Sequence, residues 1–375
     1  MFLGIALAAG LVLLAFSLYV SEVVRRGAFE PTRLPPRFDL EVLHVADDRV
    51  TLRPLAPNAS GHWNEAGLWG LRWPEGHGRV GRILETGQNE VTREWTGFDG
   101  ELFPGIGARI DPAAFPLDPR VAFGIEFRTV RYRSPIGQFD GALCDGSRAT
   151  WVLFVHGKRA ARPRKPPYSY PVLPLAADRG FPCLDVAYRN DRDAPASDGL
   201  HWYGLAEWED LDGAARFALD HGAVDLILVG YSMGGAIVTS FLYRSDLAAR
   251  VAGVILDAPV LDLKAVVDSG IRRRGVPHAL VRPGLWIAAL RLGTGWAAFD
   301  YLKDAERLRA PILLIHGGSD PVVPVAGSDR LARLRRDIVT YLHVPGATHG
   351  TAWNVDPAAY ESAVCAFLDS LPIAT

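Results

Sequence analysis

The run Gly230-Tyr231-Ser232-Met233-Gly234-Gly235 constrains this chain more than any other. A largely apolar stretch, residues 224–229, precedes it, and a helix-like run, residues 236–243, follows. That pattern reads as strand, sharp turn and helix, with serine at the apex and a glycine two residues away on each side. A serine so placed takes a strained backbone conformation that exposes its hydroxyl, and side chains at the flanking glycines would clash. The strand before and the helix after supply the context that separates a working nucleophile elbow from a chance match. Ser232 is therefore the candidate nucleophile.

From Thr150 onward, short apolar runs alternate with helical patterns. The runs are 151–155, 183–187, 226–229, 251–256, 312–315 and 338–344, and the helical stretches are 207–221, 236–244, 328–336 and 357–371. Several runs are continuously apolar, as strands buried on both faces should be. The prediction is a doubly wound, mostly parallel α/β sheet over residues 141–375, joined by right-handed crossovers. Residues 263–299 lie between two core strands and read as a short lid-like insertion walling part of a site. Residues 38–140 differ. Runs 40–45, 49–53 and 121–132 are strand-like and separated by glycine turns, which predicts a small antiparallel β-rich region. Trp63, Trp69, Trp73 and Trp95 are expected to pack its core and contacts.

Charge is balanced, with 40 Lys+Arg against 42 Asp+Glu, so nothing points to nucleic acid as a partner. Three cysteines, Cys144, Cys183 and Cys365, show no metal-binding or disulfide-scaffold spacing and read as free, mostly buried thiols, with a Cys144–Cys183 pair open only in an oxidising compartment. Phe2 to Ser21 carries no charged side chain and is about long enough to cross a bilayer. No Lys or Arg precedes it and no small-residue cleavage site follows, so residues 1–22 read as an uncleaved transmembrane anchor rather than a signal peptide. Residues 23–37, with prolines between 31 and 36, read as a linker. Arg25, Arg26, Arg33 and Arg37 then predict a catalytic part on the cytoplasmic side, the secreted or extracytoplasmic arrangement being the alternative.

The elbow, the strand ending in His156-Gly157 and the later acid and histidine together resemble the α/β-hydrolase fold over roughly residues 140–375, in the order Ser…Asp…His. The runs Tyr188-Arg189-Asn190-Asp191, Glu207-Trp208-Glu209-Asp210-Leu211 and Leu256-Asp257-Ala258-Pro259 are similar to an actinobacterial-type, membrane-anchored hydrolase group of undefined substrate. An alcohol nucleophile needs a base, and His349, between the last strand and the last helix, sits where the family places it. Asp320, in Gly318-Ser319-Asp320-Pro321, resembles the family's acid loop, and Asp257 and Asp262 are the alternative acids. His156 and His316 read as turn residues shaping the backbone. The backbone N–H groups of Met233 and Lys158 are the expected oxyanion donors. Arg189 and Asn190 are expected to fix loops around the site. Arg159, Arg162, Arg164 and Lys165 form a basic loop suited to an anionic substrate group or to lipid head groups, if not simply solvated.

These readings predict a membrane-anchored serine hydrolase that cleaves a small-molecule carboxylic ester through an acyl-enzyme. No metal or organic cofactor is called for. A peptidase or amidase of the same fold, its β-rich region gating oligopeptides, and a non-catalytic binding scaffold are the alternatives.

Overall fold

The computed structural model describes residues 2–31, 37–56, 59, 61–158, 171–191 and 194–373. Helix α1 (Phe2–Val24) runs into a π-helical turn, Arg25–Phe29. Six strands follow: β1 (Leu40–Val45), β2 (Arg49–Pro54), β3 (Trp69–Trp73), β4 (Gly76–Thr86), β5 (Val91–Asp99) and β6 (Gly107–Asp111). They close into a barrel in the order β1-β2-β5-β4-β3-β6, with β1 and β6 meeting at Leu40 and Ala108. Alternation drives the closure: Leu40 and Val42 of β1 and Val50 and Leu52 of β2 point inward, while their neighbours face out. Closing the sheet on itself leaves no unpaired edge. Trp69 is part of the barrel core, and Trp63 and Trp95 pack against it. Arg93 is fully buried and donates to the carbonyls of Gly81, Gly67, His62 and Trp63. Burial pulls its guanidinium down to about 10, against the opposing charge of Glu65, so it stays a cation that pins loop 62–67 to the barrel.

The expected strand over 121–132 is split. Asp118 caps helix α2 (Pro119–Phe123) with Pro119 in its first turn, and Gly124, at φ 69°, stops it. Strand β7 (Arg128–Ser134) begins after that stop and belongs to the large sheet, which therefore starts before residue 141. The rest of the chain comprises β8 (Gly137–Cys144), β9 (Thr150–Val155), α3 (Leu173–Ala177), β10 (Cys183–Asp185), α4 (Trp208–Asp220), β11 (Asp225–Tyr231), α5 (Met233–Arg244) and β12 (Val251–Asp257). It continues through α6 (Leu263–Arg273), α7 (His278–Leu292), β13 (Ile312–Gly317), α8 (Ala326–Leu334), β14 (Val339–Val344), α9 (Ala352–Val355) and α10 (Pro357–Ser370). The sheet order is β14-β13-β12-β11-β9-β10-β8-β7, with β8 alone running against the other strands. Successive strand residues serve opposite cores: Leu153, Val155, Leu226 and Leu228 join one, and Val152, Phe154, Ile227 and Val229 the other. That is the physical content of the unbroken apolar runs. Cys144 and Cys183 sit opposite each other across β8 and β10 as free thiols.

The N-terminal segment departs from the anchor expected over 1–22. Among the described residues no helix is long and apolar enough to cross a membrane. The C-terminal half of α1 is committed to protein: Ser17, Val20, Ser21 and Val24 are buried, and α1 packs along α7. The two helices touch where Gly284 leaves room, since a Cβ there would lie 2.6 Å from Val20 Cβ. Phe29 is wholly buried among Trp202, Tyr203, Trp296 and Phe299. Truncating such a side chain costs about 3–5 kcal/mol, so the segment is bolted to the large domain rather than tethered to it. Residues 32–36 of the expected linker lie outside the described residues.

Glu207, just before α4, is also fully buried and accepts N–H bonds from Trp202 at 2.5 Å and Gly204 at 2.8 Å. Burial outweighs those amides and raises its carboxyl to about 7. Between about pH 4.5 and 7 the folded state therefore holds a proton that the unfolded chain has lost. The stability that Glu207 contributes should fall as pH rises through that window and level off above it, opposed by His201, whose imidazole burial lowers to about 4. Asp257, raised to about 6, adds slope of the same sign as Glu207. The diagnostic is thus the difference between proteins: the urea midpoint of Glu207→Gln minus that of the wild type should rise between pH 5 and 8.

Candidate active site

The chain leaves β9 for β10 on one side and later reaches β11 on the other, so a crevice opens at the carboxyl ends of β9 and β11. Ser232 stands there, directly after β11, at φ 52° and ψ −113°, outside the ordinary regions for a non-glycine residue. The turn is tied down by Ser232 N–H donating to Asp257 O at 2.9 Å, and by Gly235 N–H and Val260 N–H donating to Ser232 O, each at 3.0 Å. A Cβ on Gly234 would come within 2.0 Å of Val155 O, and one on Gly230 within 2.8 Å of Gly234 O. Both glycines are therefore steric requirements of the turn.

Ser232, His349 and Asp320 converge. Ser232 Oγ lies 2.9 Å from His349 Nε2, and His349 Nδ1 lies 2.7 Å from Asp320 Oδ2. Because a carboxylate only accepts, Nδ1 carries the ring proton and Nε2 is left to accept from the serine. Asp320 Oδ1 accepts from Val322 N–H at 2.7 Å and Val323 N–H at 2.9 Å, and His316 Nε2 stands 3.2 Å from Oδ2. Burial by itself would raise the Asp320 carboxyl. The bonds from His316, His349 and the Val323 amide prevail and hold it well below the usual carboxylate range. Asp320 is thus ionised throughout the neutral range, as a group that stabilises an imidazolium must be.

The other acids are engaged elsewhere. Asp257 is buried and accepts from Tyr360 Oη–H at 3.0 Å, while Asp262 caps α6 through Ala265 N–H at 3.0 Å. His316 and His156 do more than shape turns. His316 Nδ1 lies 2.7 Å from Ser328 Oγ while its other nitrogen faces Asp320. His156 Nε2 pairs with Asp191 Oδ2 at 2.8 Å, and Tyr188 Oη lies 2.8 Å from Nδ1 and donates to the His156 carbonyl at 2.9 Å. This cluster braces the turn holding Gly157 and Lys158.

Met233 opens α5, where the first amides have no intrahelical acceptor, and so presents an N–H beside the serine. Lys158 lines the same cavity as Ser232 and His349, and its Nζ donates to Gly27 O at 2.9 Å and to Ala28 O. Arg189 is buried, but its bonds run to Asp210 and Glu209 at 2.8–2.9 Å, clamping α4 to the end of β10 rather than facing the triad. Asn190, at φ 68°, donates through Nδ2 to Leu200 O. Both therefore act on loops at one remove. Arg159, Arg162, Arg164 and Lys165 lie outside the described residues. Among the described residues no group of three or more His, Cys, Asp or Glu side chains is placed to hold a metal ion.

The barrel supports the histidine loop, a contact that no local pattern announced. His62 Nε2 lies 3.0 Å from Thr348 Oγ1, one residue before His349. Asn354 Nδ2 donates to Leu68 O at 2.7 Å and Pro112 O at 2.8 Å, and Leu68 N–H returns a bond to Asn354 O at 2.9 Å. A cavity of about 580 Å³ opens over the triad. Its walls come from α1, the turn after it, α6, α7 and the loops after β9, β12 and β13, and among the described residues none from the barrel lines it. A larger open groove of about 860 Å³ runs along α7 and touches no triad residue.

A family described as a domain of unknown function, DUF8805, matches residues 41–111, which is the barrel. The Escherichia coli (strain K12) protein YfhR, itself uncharacterized, is 23% identical over 188 residues, 49% of this chain and 59% of YfhR. The chain thus spans less than two thirds of that relative's length. Among solved structures, the Pyrococcus furiosus esterase Pf2001 superposes with a TM-score of 0.53 at 18% identity, covering 68% of this chain and 96% of the esterase. A Mycobacterium tuberculosis puromycin-hydrolyzing peptidase gives 0.52 at 18% identity, covering 89% of this chain and 57% of the peptidase. The large domain has the α/β-hydrolase fold.

Proposed function

We propose that this protein is a serine hydrolase that cleaves carboxylic esters through an acyl-enzyme. The observation that carries the reading is the Ser232–His349–Asp320 chain of hydrogen bonds at 2.9 and 2.7 Å, with Ser232 and His349 lining a largely apolar cavity. Ser232 Oγ attacks the ester carbonyl carbon while its proton passes to His349 Nε2. The oxyanion is received by the Met233 and Lys158 amides, and His349 returns the proton to the departing alkoxide. Water then attacks the acyl-enzyme, giving a proton to His349, and the acid leaves as Ser232 recovers its hydrogen. Esters are favoured over peptides because, among the described residues, none from the barrel lines the cavity where it would gate an oligopeptide. Labelling by a fluorophosphonate tests the mechanism: the wild type should label and Ser232→Ala should not. A folded wild type that fails to label would leave the binding-scaffold reading in its place.

The hydrolase is further proposed to work against a membrane surface. Ile5, Leu7, Leu11, Val12 and Leu14 of α1 are exposed, and α7 adds Leu280, Trp286 and Leu290. Large apolar side chains exposed on two helices that pack together seek lipid or another apolar surface. The wild type should co-sediment with phosphatidylserine-containing vesicles, and the paired change Leu11→Glu/Trp286→Glu should release most of it into the supernatant. Equal sedimentation of both proteins would remove the membrane from the proposal.

A further inference from the structure

The N-terminal segment is part of the active site, and that placement points to a substrate class; the inference rests on the hydrolase reading above. Ser232 and His349 share their cavity with Val20 and Val23 of α1, Val267 and Ile271 of α6, and Val281 of α7. All five side chains are β-branched, four of them on the facing helices α1 and α6, so the walls between those helices are largely apolar, while Lys158, Arg273 and Arg274 also line the cavity. Among the described residues no Asp or Glu lines it. A cationic group such as a free amino terminus would find no partner there. Its volume, about 580 Å³, falls in the range that encloses most of a small ligand.

The α1 wall is fixed in place by several independent contacts. Phe29 fills its aromatic cage, Tyr203 Oη–H donates to Ala28 O at 2.8 Å, and His201 N–H donates to Phe29 O at 2.7 Å. Farther up, Arg291 of α7 pairs with Glu22 at 3.0 Å. The same segment holds Lys158, a candidate oxyanion residue, through the carbonyls of Gly27 and Ala28. Chain residues more than 120 positions away from the oxyanion turn thus help to shape both pocket and catalytic loop, as the 131-residue separation of Lys158 and Gly27 records.

We propose that the acyl half of the substrate is a linear aliphatic chain of medium to long length, held between α1 and α6 with its carbonyl at Ser232. Each methylene buried in such a slot adds to kcat/KM until the slot is full. The test uses full-length protein and p-nitrophenyl esters from acetate to palmitate. kcat/KM for the wild type should rise at least tenfold from acetate to the optimum chain. Val23→Trp and Val267→Trp, which narrow the slot from opposite walls, should each lower the ratio of decanoate to acetate kcat/KM by tenfold or more. Thermal melts and fluorophosphonate labelling of each variant establish that it is folded and carries a reactive serine.

A flat chain-length profile in a wild type that labels would overturn the acyl slot while leaving the hydrolase reading intact. Absence of labelling in the wild type would instead strike the hydrolase reading itself. A ratio changed by Val267→Trp but not by Val23→Trp would exclude α1 from the wall. A rise with the length of the alcohol in a series of acetate esters, in place of the acyl series, would assign the slot to the leaving group and overturn the proposal.

Discussion

Ser232→Ala is expected to lower kcat for ester hydrolysis by about a million-fold, the scale on which removing a triad serine acts. The expectation follows from geometry. Ser232 Oγ stands 2.9 Å from His349 Nε2, and alanine keeps every atom of the turn except that oxygen. The bonds that fasten the turn, Ser232 N–H to Asp257 O and Val260 N–H to Ser232 O, are backbone and survive the change. Melting temperature and far-UV circular dichroism should accordingly stay at wild-type values while turnover of p-nitrophenyl esters disappears. A variant that retained turnover within tenfold would place the nucleophile elsewhere.

Asp320→Asn should cost about ten-thousand-fold in kcat, through the tautomer of His349. The amides of Val322 and Val323 donate to Oδ1, so the asparagine oxygen is drawn to that side. Its NH₂ then takes the place of Oδ2, facing His349 Nδ1 and His316 Nε2. A donor meeting Nδ1 stabilises the imidazole with its proton on Nε2, which cannot accept from Ser232. The matched control is Asp257→Asn. Asp257 is bonded to Tyr360 and not to His349, so its loss should leave kcat within about tenfold. Steady-state rates at pH 8 for the two variants decide between the acids. A severe loss in Asp257→Asn with a mild one in Asp320→Asn would reverse their roles.

Much of the α/β-hydrolase-fold domain was legible because its signals are local. Strands buried on both faces must be apolar at every position, so residues 151–155 and 226–229 announced themselves. Gly230 and Gly234 are imposed by contacts within a few ångströms of the turn they flank. The order of serine, acid and histidine follows from which strand ends reach the crevice. Errors arose where an element is decided by what covers it. Residues 121–132 contain enough β-branched and aromatic side chains to read as one strand, yet Asp118, Pro119 and Gly124 cut a short helix from it. Phe2 to Ser21 is apolar enough to suggest lipid on all sides, but Val20 and Val24 face protein.

His156 and His316 mark the same limit on the scale of single side chains. Each stands at the C-terminal end of a strand and precedes a glycine, which is all that a sequence displays of such a site. Their function as props depends on Asp191, Tyr188, Ser328 and Asp320, and those partners are set by the stacking of neighbouring strand ends. Arg189 was placed near the site by its position after a strand, but its guanidinium is claimed by Asp210 and Glu209 of α4. Position along the chain located the residue, and competition among buried charges chose its direction.

By itself the sequence determined the nucleophile turn, the two-sided sheet and the trio Ser232, Asp320 and His349, because short-range sterics and burial periodicity encode them. Tertiary structure alone decided three things: the closed barrel, its brace from His62 to Thr348 across 286 positions, and the use of α1 as a wall of the cavity. Those contacts join surfaces that have no periodic relation to each other along the chain. They form because Phe29, Val20 and Asn354 lose more by facing water than by meeting the particular surfaces that folding brings to them.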